Sequence, residues 1–110
     1  MLRKRRSFAT APIKVVVLVV GASPRFLERF RIASAPRKAE ILDVDLERAQ
    51  AVASARIPRT LLVPAEVYAR GAAVLDGIAE DVCARIVEVP SEDVSEAELE
   101  HLVQQAVRWG

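Results

Sequence analysis

Few side chains in this chain have the types and spacing that chemistry requires. It holds one cysteine, Cys83, and one histidine, His101. One of each is too few for a Cys/His zinc framework. A lone cysteine cannot close an internal disulfide, so a reducing, cytoplasmic setting is the simplest reading. His101 falls in a segment of helical spacing, remote along the chain from any nucleophile-like turn, and reads as a surface helix residue. Cys83 stands beside Val82 near the end of another amphipathic segment, where a small buried apolar residue is expected. No nucleophile–base pair assembles, and the chain reads as non-catalytic.

Two constellations remain. The first is Gly21-Ala22-Ser23-Pro24, at the exit of an apolar run. Gly21 allows a tight exit, Ser23 suits an N-cap and Pro24 suits the first helical position. Free N–H groups and the helix dipole at such a point attract anions. One glycine is neither the dinucleotide fingerprint nor a phosphate loop, so a plain cap is favoured and no cofactor is implied. If the run is a strand of an open parallel sheet, a crevice forms at its carboxyl end. Gly21, Ser23, Glu66, Tyr68 and Arg70 are its candidate ligand-binding residues, with Ala22, Pro64 and Ala65 beside them.

The second is basic. Arg3, Lys4, Arg5 and Arg6, with Arg25 and Arg29 and then Arg31, Arg37 and Lys38, form a candidate patch for an anion or a partner. Residues 1–39 hold ten Lys/Arg against one acid, Glu28, whereas residues 40–110 hold six Arg against fourteen acids. This asymmetry fits two halves that attract each other within the fold, copies that associate head to tail, or an anionic partner for the front end. The first is favoured, because surface positions are the usual place of Arg and Glu. Nucleic acid is disfavoured: Phe8 is the only interleaved aromatic, and the acidic remainder repels phosphates. Glu92, Asp93, Glu96, Glu98 and Glu100 mostly belong to a helix N-terminus, where the dipole favours acids. They read as a solvated face and not as a metal site.

These residues must be positioned by an alternating set of elements. Val15-Val16-Val17-Leu18-Val19-Val20 is apolar throughout and mostly β-branched, as a central parallel strand covered on both faces is. A helix from Pro24 to about Ala35 presents Phe26, Leu27, Phe30 and Ala33 to the sheet. A second strand spans about Glu40–Val44. Asp43 or Asp45 caps a helix from Leu46 to Arg56 with Leu46, Ala49, Val52 and Ala53 inward. A third strand, Thr60–Val63, is closed by Pro64. The next helix lies within Ala69–Ala84. Val74, Ile78 and Val82, with Leu75 and Ala79, form its inner face, and Gly77 would permit close packing on the sheet. A fourth strand, Arg85–Val89, leads to a helix opened by the capping box Ser95-Glu96-Ala97-Glu98. Leu99, Leu102, Val103, Ala106 and Val107 give that helix its apolar stripe. Strict alternation predicts a small three-layer α/β/α domain with a four-stranded parallel sheet of order 2-1-3-4. At 110 residues the chain has room for one such domain, residues 13–110.

Residues 1–12 read as a basic flexible tail. Arg5-Arg6-Ser7-Phe8 resembles the core of a twin-arginine export signal, and a cleaved targeting peptide is the alternative. The apolar run that follows is too short for a membrane span, which needs about 20 residues.

In layout, Lys14–Val89 with Glu92–Val107 resembles a response-regulator receiver domain, and so a flavodoxin-like fold. Asp43-Val44-Asp45-Leu46-Glu47-Arg48-Ala49, Ile57-Pro58-Arg59-Thr60-Leu61-Leu62-Val63 and Ile86-Val87-Glu88-Val89-Pro90 carry the resemblance. The departures are as informative. Where receivers hold an acidic pair for magnesium, this chain has Val20-Gly21-Ala22. Where they carry the phospho-accepting Asp, it has Val63-Pro64-Ala65, with Glu66 the nearest acid. Val89-Pro90 replaces their Lys-Pro, and one strand–helix unit is missing. The resemblance thus implies a shortened pseudo-receiver without the phosphorylation pocket. The expected function is non-catalytic signalling by docking to a protein partner or to a second copy, with Trp109 and the last helix as a docking surface. The alternative is a small-ligand or anion-binding protein using the Ser23/Glu66 crevice.

Overall fold

The computed structural model describes residues 15–107. β1 (Val16–Val20), β2 (Glu40–Val44), β3 (Thr60–Pro64) and β4 (Arg85–Val89) alternate with α1 (Pro24–Ser34), α2 (Ala49–Arg56), α3 (Ala65–Val82) and α4 (Glu96–Val107). The strands form one parallel sheet of order β2-β1-β3-β4. β1 is paired on both sides, to β2 from Val16 opposite Glu40 and to β3 from Val17 opposite Thr60.

The valine run is fully covered because its alternate residues enter two different cores. Val17 and Val19 pack with Phe26, Phe30, Leu99 and Val103, under α1 and α4. Leu18 and Val20 pack with Ala49, Ala53, Leu75 and Ile78, under α2 and α3. Val17 through Val20 expose no surface. At about 25 cal/mol per Å² of buried apolar area, this central strand is a principal source of stability.

Local signals set the ends of the helices. The Ser23 hydroxyl accepts from the Phe26 N–H at 3.2 Å, capping α1. Pro36 falls in a 3-10 turn, Ala35–Arg37, so α1 stops at Ser34. Asp45, and not Asp43, caps the next segment by accepting from the Arg48 N–H. That segment is a 3-10 turn, Leu46–Arg48, before α2 proper. The Ser95/Glu98 capping box is reciprocal: Ser95 N–H donates to Glu98 at 3.0 Å and Glu98 N–H donates to Ser95 Oγ at 3.1 Å. A buried Thr60 hydroxyl donates to the Ala106 carbonyl at 2.8 Å, tying the start of β3 to the last turn of α4.

Four expectations are corrected. α3 begins at Ala65, directly after Pro64, which is itself the last residue of β3 and not a residue beyond it. The helix is kinked at Gly71, whose backbone is non-helical (φ −130°, ψ 28°); Val67, Gly71, Leu75, Ile78 and Ala79 turn inward, and Val74 is left 51% exposed. The close-packed glycine is therefore Gly71, where an added Cβ would stand 2.7 Å from Leu46, while Gly77 has nothing within 4 Å. Cys83 is exposed: it ends α3 in the left-handed conformation, φ 57°, and its side chain turns away from the core.

Candidate functional site

The carboxyl end of the sheet is where the expected site residues should meet. Gly21 leaves β1 with φ 72° and donates its N–H to the Val44 carbonyl at 2.8 Å. A Cβ there would approach Val67 to 3.0 Å, so the turn lies against the first turn of α3. Only glycine meets both the left-handed φ and that approach without strain.

The N-terminus of α1 is already served from within the chain. Ser23 N–H donates to Glu92 Oε2 at 2.7 Å, across 69 residues of sequence. A carboxylate at this point satisfies an otherwise free backbone donor and meets the positive end of the helix dipole. Glu92 is half-buried and sits on the loop between β4 and α4. Arg29 fastens the same loop, donating to the Val94 carbonyl at 2.9 Å and to Glu96 at 3.1 Å. The hollow between them, about 250 Å³, is lined by Ser23, Arg25, Phe26, Arg29, Glu92 and Asp93.

The other candidate ligand residues lie on α3, toward the opposite face of the sheet. Glu66 is exposed in the first turn of that helix, and Arg70 is exposed one turn further on. Tyr68 donates its hydroxyl to Asp76 at 2.8 Å. That hydrogen bond, with partial burial and the charges of Asp76 and Glu88, raises the phenol above its ordinary value. The helical start at Ala65 explains the separation: Glu66 and Tyr68, expected ahead of the helix, stand with Arg70 on the helix itself.

The basic patch is divided as well. Arg3, Lys4, Arg5 and Arg6 lie outside the described residues, as do the whole 1–12 segment and Trp109. Arg29 is half-buried against the β4–α4 loop and is not part of an open surface, whereas Arg25 is exposed and has no ion-pair partner among the described residues. Of the acids read as a solvated face, Glu96 pairs with Arg29, Glu100 with Arg37, Glu92 accepts from Ser23 N–H and Glu98 serves the capping box; elsewhere Arg31 pairs with Asp43 and Arg56 with Glu40. All four pairs join a cation and an acid across the two oppositely charged stretches or within the acidic one. His101 is exposed on α4. No group of three or more metal-ligating side chains converges among the described residues.

A feature the sequence did not announce is a shallow groove of about 610 Å³ along the free side of β4 and α4. Pro90, Val94, Ala97 and Leu102 supply its apolar surface, and Glu88, Asp93 and Glu98 its acids. No sequence motif marks it, although its residues run along one stretch of the chain, from the end of β4 through the loop into α4.

Fold and site together define a small α/β domain with a parallel sheet of order 2-1-3-4, whose sheet-end helix N-terminus is filled by its own carboxylate. Comparison with models of known protein families finds no match, and comparison with curated proteins and with solved structures finds none either. No helix among the described residues is long and apolar enough to cross a membrane.

Proposed function

We propose that this chain is a non-catalytic interaction domain, pseudo-receiver-like in layout, that acts by docking to a protein partner. The observation that carries this reading is Glu92 on the Ser23 N–H. In an open parallel sheet the carboxyl end ordinarily takes the ligand, and here the anion-attracting position there is supplied internally. The same loop is fastened by Arg29. What the domain leaves open among the described residues is of another kind: two edge strands, β2 and β4, each paired on one side only, and the groove beside β4. Edge strands with free backbone groups are natural sites of protein association.

The test is recovery of a partner on immobilised full-length chain, compared with a Glu88→Lys/Asp93→Lys variant. One protein retained by the parent chain and lost at least tenfold by the variant supports docking at this edge. Thermal-shift measurements with nucleotides and inorganic phosphate provide the contrast. A stabilisation by any of them that Glu92→Lys abolishes would instead establish the small-ligand reading.

A further inference from the structure

The two edges of the sheet are finished differently. In β2, Glu40 N–H donates to the Val15 carbonyl and the Val44 carbonyl accepts from Gly21 N–H. Glu40, Leu42 and Val44 therefore bond toward β1, and Ile41 and Asp43 turn their backbone groups outward. Arg31 lies across that outer side. Its guanidinium donates to the Ile41 carbonyl at 3.2 Å and stands 3.9 Å from the Asp43 carboxylate. A charged side chain on an edge guards it against strand addition.

β4 has no such guard. Arg85 N–H donates to the Arg59 carbonyl at 3.1 Å, which sets Arg85, Val87 and Val89 toward β3. The N–H and C=O groups of Ile86 and Glu88 point outward, and no hydrogen bond meets them there. Pro90, which has no N–H, closes the open stretch.

This edge is complementary to itself. Turned antiparallel about a two-fold axis through Val87, Ile86 of one chain faces Glu88 of the other. Each such pair exchanges both backbone hydrogen bonds. The charges select the same orientation. Val87 and Val89 enter the α1/α4 core and Ile86 the α2/α3 core. Arg85 shares the α4 side, where it is exposed and donates to the Gln105 carbonyl at 2.7 Å. Asp93 and Glu98 are exposed at the other end of that side, with no ion-pair partner among the described residues. The antiparallel arrangement brings Arg85 of each copy toward the acidic end of the other, whereas a parallel one would set Arg85 against Arg85. On the α3 side the two exposed Glu88 side chains fall on the diagonal, about 7–8 Å apart, and solvent screens them.

We propose that β4 pairs antiparallel with β4 of a second copy, joining the two sheets into one. This names the partner for the docking reading and rests on it.

Sedimentation of the full-length chain over a concentration series tests the pairing, and a dimer that forms with rising concentration is expected. Glu88→Pro removes an outward N–H and leaves the bonds to β3 in place, since an edge strand tolerates proline. It should raise the dissociation constant about tenfold or more, whereas Glu88→Ala, which keeps the N–H, should not. Val87→Cys in a Cys83→Ser background gives an independent reading that leaves the edge backbone intact. Across the axis the two introduced thiols sit on Cα atoms about 4.5 Å apart, within disulfide range. Oxidised glutathione should link them, and should leave Ser54→Cys, exposed on α2, unlinked in the same background. A chain that sediments as a monomer throughout overturns the proposal. So does a dimer that Glu88→Pro leaves intact, or equal linking at the two positions. If the chain is monomeric while a different protein is retained and then lost with Glu88→Lys/Asp93→Lys, the docking reading stands and only the self-pairing falls.

Discussion

The two faces of the sheet are built differently. Under α1 and α4 lie the two fully buried aromatic rings among the described residues, Phe26 and Phe30, with centroids 6.1 Å apart. Two ion pairs, Arg29–Glu96 and Arg37–Glu100, bridge α1 or the turn after it to α4. Under α2 and α3 the core is built from Ala49, Ala53, Ala79 and aliphatic residues, and helix approach depends on Gly71 against Leu46. α1 and α4 come from opposite ends of the chain and from its oppositely charged parts, so Coulomb attraction favours their pairing. α2 and α3 are consecutive, are joined through one short strand, and approach closely through small residues. The charge imbalance of the sequence is thus partly spent inside the α1/α4 layer.

The largest effect should come from the aromatic layer. Phe30→Ala is expected to remove about 3–5 kcal/mol, measured by urea denaturation, against about 0.5–1.5 kcal/mol for Ile78→Val on the other face. A smaller loss for Phe30→Ala than for Ile78→Val would break the contrast. Gly21→Ala combines a left-handed φ with an approach to Val67, and should destabilise by about 1–3 kcal/mol through overpacking and backbone strain.

Glu92→Gln keeps the shape but removes the charge that meets Ser23 N–H and the helix end. A loss of about 1 kcal/mol is expected in the same denaturation experiment. Arg37→Ala, at a more exposed pair, should change stability by less than about 0.5 kcal/mol. Equal losses would remove the distinction between the loop fastening and an ordinary surface pair.

The smallest effect belongs to the α3 face. Asp76→Asn should lower the Tyr68 titration toward the ordinary phenol value, read from tyrosinate absorbance, since Tyr68 is the only tyrosine of the chain. The sign follows from linkage. A phenol raised in the folded state contributes stability fully below the unfolded value near about pH 10, and loses it as pH rises through the folded value. Asp76→Asn should diminish that alkaline loss, and an unchanged titration would show that the hydrogen bond has no such role.

Much of this architecture was legible along the chain, for local reasons. The valine run, the Ser23 cap, the Ser95/Glu98 box and the stripe of Leu99, Leu102, Val103 and Ala106 are short-range patterns that the fold retains. The start of α3 was not legible, because Pro64-Ala65-Glu66 carries turn-like residues, and Pro64 at the end of a strand serves equally as the residue before a helix. The early start puts Glu66 and Tyr68 on a helix, and a kink at Gly71 separates that turn from the longer part, where Val74 faces solvent.

The sequence by itself determined the alternation of strands and helices, the covered central strand and the helix caps, since each depends on neighbours within a few residues. The tertiary structure alone decided that Glu92 reaches Ser23, that Arg29 fastens the β4–α4 loop, and that a groove opens beside β4. The Glu92 and Arg29 contacts join residues more than sixty positions apart, and no local periodicity encodes which distant side chain will face which. They arise only once the sheet order has brought the loops at the carboxyl ends of β1 and β4 to the same side of the domain.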